Sequence, residues 1–146
     1  MVYGTNGLTL QIPELGVSEA IMTVPEMDGE YPVEWLESNI GLLEQSCLPG
    51  RGVAVLAGHN HLNNTEAGPL LSLGSLESGA RVMVTDARNG IQMFRVYGNY
   101  KIASNAFASV AENVRENALV LITCEDESVD GGYLNRRVIL AEPVGK

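Results

Sequence analysis

Apolar residues occur along this chain in short runs, cut apart by Gly, Pro, Asn and acidic clusters. Leu8-Thr9-Leu10-Gln11-Ile12 alternates apolar with polar, breaks at Pro13, and resumes as Glu19-Ala20-Ile21-Met22-Thr23-Val24. Period-two alternation bounded by a Pro and a Gly predicts two short strands joined through Glu14-Leu15-Gly16. Val53-Ala54-Val55-Leu56-Ala57 and Leu119-Val120-Leu121-Ile122 are unbroken apolar runs rich in branched residues, the pattern of strands buried on both faces. Arg81–Asp86 and Ile91–Ile102 predict a pair of strands, and Asn89-Gly90 between them is a hairpin signal. A last strand is expected over Asn135–Val144.

Two segments read as helical. Phe107, Val110, Ala111 and Val114 share one face of a short helix over Asn105–Glu116, and Pro69 opens a helical turn running toward Leu76. Residues 25–50 carry apolar anchors at Trp35, Leu36, Ile40, Leu42 and Leu43 without a clean period, so mixed loop and short strand is expected there. About eight strands with two short helices predict an all-β closed barrel or sandwich.

Composition narrows this picture. A chain of 146 residues, 45% apolar and 18% charged, is long enough for one domain with a proper core and too apolar for disorder. Nine basic against eighteen acidic residues give a net charge of −9, which argues against nucleic acid or an anionic membrane surface as partner. No apolar run approaches the ~20 residues that span a bilayer. Two cysteines, Cys47 and Cys124, without metal-ligand spacing exclude a structural zinc site, and no cofactor or metal is expected. The acidic run Glu125–Glu127 reads as a solvated loop, without the full ligand set that calcium needs.

Three chemically versatile side chains stand at the ends of apolar runs: His59 after Ala57-Gly58, Cys124 after Ile122-Thr123, and Arg136 opening Arg-Val-Ile-Leu at positions 137–140. Such a set suits acyl transfer. A thiolate attacks a carbonyl, an imidazolium protonates the leaving amine, and a guanidinium steadies the oxyanion with a fixed fork of donors. Spacing alone does not bring the three together.

With these residues in place, the chain resembles the sortases, the surface transpeptidases of Gram-positive bacteria. The family's Cys motif appears as Leu121-Ile122-Thr123-Cys124, its Gly-His motif as Leu56-Ala57-Gly58-His59, and its strand-opening Arg in Asn135-Arg136-Arg137-Val138-Ile139-Leu140-Ala141. Leu10-Gln11-Ile12-Pro13, Leu15-Gly16-Val17 and Leu73-x-x-Leu76-x-x-Gly79 add matches in family order. The resemblance implies a closed eight-stranded sortase-type β-barrel and a single catalytic domain over residues 1–146. It also implies an N-terminal membrane anchor that these residues lack, so the chain is expected to be a truncated domain whose parent sits on the extracellular face of the plasma membrane. The implied reaction cuts an LPxTG-like C-terminal sorting signal. Cys124 carries the acyl group as a thioester, His59 acts as acid and base, and Arg136 stabilises the oxyanion. An amine from a cell-wall precursor or a pilin subunit then takes the acyl group. The alternatives are a thiol hydrolase on the same barrel and a silent peptide-binding barrel.

Rivals exist for two of the three roles. His61 lies two residues past His59, but the family's His follows Gly directly, and His61 is expected to be a solvated loop residue. Arg137 neighbours Arg136; Arg-x-x-x-x-Ala, counted back from Ala141, selects Arg136, and on a strand the two point to opposite faces. Cys47, in Ser46-Cys47-Leu48-Pro49-Gly50, is expected to be a partly packed inert thiol before a turn. An Asp-Pro-aromatic lid motif and a long helical insertion between Lys101 and Ala118 are both missing from the sequence, a pattern similar to the compact housekeeping or class D/E members.

Overall fold

The computed structural model describes residues 4–29, 31, 36–61, 66–88, 90–103, 108–127 and 133–144. Eight strands are present among them: β1 (Gly4–Ile12), β2 (Val17–Val24), β3 (Ile40–Leu43), β4 (Ala54–Ala57), β5 (Arg81–Asp86), β6 (Gly90–Ala103), β7 (Leu119–Glu127) and β8 (Tyr133–Pro143). They close into one barrel in the order β1-β2-β3-β4-β7-β8-β6-β5. Neighbours are antiparallel except for β2 with β3 and β4 with β7, which run parallel. No helix among the described residues is long and apolar enough to cross a membrane.

Alternation decides what faces inward. Leu10, Ile12, Ile21, Leu56, Val82, Val84, Phe94, Leu119, Leu121 and Ile139 fill the barrel, each no more than 1% exposed. The intervening positions of the central strands form a second, outer cluster: Val120, Val138, Leu140 and Val110, with Val55, Ile122 and Tyr100 packed against it. Strands β7 and β8 are therefore covered on both faces, which is why their sequences read as continuous apolar runs.

Several expectations are corrected. The apolar runs end earlier than the strands do. β7 continues through the acidic residues to Glu127, and β8 begins at Tyr133, three residues before Arg136, because the backbone ladder holds Glu125 opposite Asn135 and Glu127 opposite Tyr133. Cys124 and Arg136 thus lie inside hydrogen-bonded strands. Among the described residues, the helix expected over 105–116 covers Ala108–Ala111 (α1) and ends there; residues 104–107 lie outside the described residues. Tertiary contacts end the helix: the Tyr97 hydroxyl donates to the Asn113 carbonyl (3.0 Å) and accepts the Arg115 N–H (2.8 Å), drawing both out of helical pairing. The turn opened by Pro69 becomes a 3₁₀ turn only at Leu73–Ser75. Cys47 is exposed, and neither cysteine is in a disulfide. Trp35 and the loop Asp130-Gly131-Gly132 lie outside the described residues.

Candidate active site

Strand pairing brings the three singled-out residues together. Parallel pairing of β4 with β7 sets Ala57 beside Ile122, and the Gly58 N–H continues the ladder to the Ile122 carbonyl (3.2 Å). Antiparallel pairing of β7 with β8 sets Cys124 directly opposite Arg136. Side-chain parity does the rest. Cys124 shares its face with Val120 and Ile122, Arg136 shares its face with Val138 and Leu140, and all of these apolar residues belong to the outer cluster. The outcome is a cleft of about 230 Å³ on the outside of the barrel wall, lined by Ala57, Gly58, His59, Asn60, Ile122, Thr123, Cys124 and Arg136.

Inside this cleft the Cys124 thiol is half-buried. Burial pushes its pKa up, because a thiolate there loses hydration. The Arg136 guanidinium acts in the opposite sense, through its charge and a hydrogen bond to the sulfur, without cancelling the effect of burial. A pocket holding a part-buried thiol, an imidazole and a permanent cation on its sulfur can do acyl chemistry on a carbonyl substrate.

Residues 10–144 match the Sortase domain family. This chain belongs to the sortase family. Among solved structures, its fold is similar to sortase C-1 from Actinomyces oris, with 22% identity, a TM-score of 0.73, and 95% of this chain covering 73% of that one. A lid mutant of sortase A from Corynebacterium diphtheriae gives 20% identity and a TM-score of 0.75 over 100% of this chain and 73% of that one. A sortase transpeptidase of Clostridium perfringens gives 22% and 0.68 over 97% of this chain and 79% of that one. No curated protein matches the sequence. Membership makes the protein a sortase transpeptidase, an enzyme acting on peptide bonds.

The rival residues of this sortase go elsewhere. Arg137 occupies the opposite parity to Arg136, and its Nη1 donates to Asn99 Oδ1 (2.8 Å). Asn99 in turn donates to the carbonyls of Gly74 (3.1 Å) and Leu76 (2.8 Å), so Arg137 tethers the loop before β5. His61 is exposed and forms an isolated bridge with Ala67, away from the cleft lining.

Sequence reading missed the clamps on the His59 backbone. Thr123, 3% exposed, donates its hydroxyl to the Gly58 carbonyl (2.8 Å) and so ties the residue before Cys124 to the residue before His59. On the other side, the segment Gly68–Leu70 folds back: Leu70 N–H donates to the His59 carbonyl (3.0 Å) and Gly68 N–H to the Asn60 carbonyl (2.7 Å). Three successive carbonyls, from Gly58 to Asn60, are thereby held by named donors. Thr123 was visible in the motif, but nothing in the sequence marked Gly68 as a neighbour of His59.

Proposed function

We propose that this sortase cleaves an LPxTG-like sorting signal through a Cys124 thioester and passes the acyl group to an amine. The supporting observation is that Cys124, His59 and Arg136 line a single cleft with the guanidinium hydrogen-bonded to the sulfur. The reactive form is a thiolate balanced by an imidazolium, a minority population because burial favours the neutral thiol. The thiolate attacks the scissile carbonyl carbon, and the electron pair moves onto the oxygen. Arg136 stabilises that oxyanion as the cleft desolvates it. The tetrahedral centre collapses with loss of the amine, which takes its proton from His59, leaving the thioester and a neutral imidazole. An incoming amine, from a cell-wall precursor or a pilin, gives its proton to His59 as it attacks the thioester, and the Cys124 thiolate leaves, restoring the thiolate–imidazolium pair. No metal or cofactor takes part. The domain acts at the surface of a Gram-positive cell.

The test uses a quenched LPxTG-type peptide with and without a glycine-based amine, on wild type and on Cys124→Ala. Amine-dependent ligated product that disappears in the variant is the expected result. Cleavage indifferent to the amine indicates a hydrolase. No cleavage of any motif variant by the folded protein overturns the assignment.

A further inference from the structure

The barrel has two ends, and the Cys124 cleft opens near only one of them. At the other end the start of β1, the tip of the β5–β6 hairpin and the loop before β4 enclose a cavity of about 500 Å³, roughly twice the volume of the catalytic cleft. Its walls are Thr5–Leu8, Leu48, Pro49, Arg51, Asp86–Arg88 and Gln92. Two of the nine basic residues of an otherwise acidic chain, Arg51 and Arg88, stand on this wall.

Of the five other arginines four are engaged, and Arg95, exposed on β6, stands apart from this wall. Arg81 meets Glu14 (3.8 Å), Arg115 meets Glu142 (2.8 Å), Arg136 meets Cys124 and Arg137 meets Asn99. Arg51 and Arg88 make no ion pair among the described residues. The one carboxylate among the described wall residues, Asp86, already accepts the Arg88 backbone N–H at Oδ1 (2.8 Å).

Local geometry fixes where both guanidinium stems start. Leu48-Pro49-Gly50-Arg51 is a tight turn closed by Arg51 N–H to the Leu48 carbonyl (3.0 Å), with Gly50 at φ 85°. Pro at the second position and a left-handed Gly at the third are the signature of a type II turn. The missing Gly50 side chain leaves room for the Gln92 amide, so the floor of the cavity is polar. Opposite, β1 bulges between Thr5 and Leu8, and Asn6 is pinned by the Leu8 N–H (3.0 Å) and by Thr23 Oγ1 (3.0 Å). Cationic forks on two walls, with amide and hydroxyl groups between them, suit an anion that also carries hydroxyls. Leu48, on the wall beside Pro49, is 50% exposed.

We propose that this cavity is a second binding site, separate from the Cys124 cleft, that takes a phosphate ester through Arg51 and Arg88, with Gln92 and Asn6 contacting the adjoining hydroxyls. The phosphate can come from a soluble polyol phosphate or from a single lipid headgroup, the second against the repulsion that a net charge of −9 sets up with an anionic membrane surface as a whole.

Two probes separate the sources. Amide NMR spectra of the whole chain are titrated with glycerol 3-phosphate and, as the uncharged control, with glycerol. Separately, the chain is sedimented with vesicles of phosphatidylglycerol in phosphatidylcholine, against phosphatidylcholine alone. The variant is Arg51→Gln/Arg88→Gln, both exposed, so folding is kept. Saturable shifts at Asn6, Gly7 and Gln92 with glycerol 3-phosphate, weakened about tenfold or more in the double variant and by added salt, establish the site with a soluble ligand. Charge-dependent vesicle binding lost in the double variant, without soluble binding, establishes it with a lipid headgroup. Equal shifts with glycerol, equal binding by the variant, or no binding of either probe overturns it. Peptide cleavage is unchanged in the double variant, so failure here is distinguishable from failure of the Cys124 assignment.

Discussion

Gly68→Ala should slow catalysis while leaving the barrel folded. Gly68 has no positive φ, so glycine is required there for space and not for backbone conformation. A methyl group added at Gly68 would lie 2.7 Å from the His59 carbonyl carbon and 3.0 Å from that of Asn60, and closest of all to the His59 carbonyl oxygen. The first contact is about 0.8 Å shorter than the ~3.5 Å at which carbon atoms rest. Both partners are backbone, so no rotamer change relieves the overlap. The Gly68–Leu70 segment cannot simply retreat either, because Leu70 is fully buried and its N–H is bonded to the His59 carbonyl. The strain therefore falls on His59, at a cost of about 1–3 kcal/mol of stability.

Displacement of an acid–base group by roughly 1 Å costs on the order of a hundredfold in rate. The expected outcome is a fall in kcat of roughly that size, with KM nearly unchanged. Peptide cleavage is measured well below the melting temperature, with circular dichroism to verify folding. Gly4→Ala is the control, since an added methyl there meets only Thr23 Cβ at an ordinary 3.6 Å. Wild-type kcat in folded Gly68→Ala would refute the reasoning, as would a loss of activity that tracks KM alone.

Thr123→Val keeps the shape but leaves the Gly58 carbonyl without its donor, a cost of about 1–3 kcal/mol. At roughly 2–4 °C per kcal/mol for a chain of this size, thermal melts resolve that loss, and an unchanged melting temperature contradicts it. Iodoacetamide alkylation of Cys124 should accelerate only at a pH above the ordinary thiol range. Arg136→Ala should move that rise higher still, because the cation that favours the thiolate is gone, whereas Arg137→Ala should leave it in place. The linked stability has a fixed sign. A thiol whose pKa is raised by folding contributes stability that is complete below its unfolded pKa and is lost as pH climbs through the folded value, so Cys124→Ala should flatten the alkaline decline of unfolding free energy measured in urea.

Local pattern determined most of the strands. Period-two alternation in β1 and β2, the unbroken runs of β4 and β7, and the Gly90 hairpin all appear where the residues predicted them, because each depends on neighbours a few positions away. The same alternation carried part of the site: once Val120 and Ile122 face one way, so does Cys124, and once Val138 and Leu140 do, Arg136 must and Arg137 cannot. Tertiary structure alone decided that these faces are the same face. It did so by pairing β7 antiparallel with β8, and it brought the His59 end of β4 beside them by pairing β4 in parallel with β7, an arrangement between distant segments that no local period encodes. Strand length and helix length also escaped the sequence. Backbone hydrogen bonding extends β7 through acidic residues that have no apolar signal, and the Tyr97 hydroxyl cuts short a helix whose own residues favoured it. Gly68 is the clearest case of the limit. Its meaning lies in the atoms packed against it, and those belong to His59 and Asn60, brought there by a fold-back that only the assembled barrel holds in place.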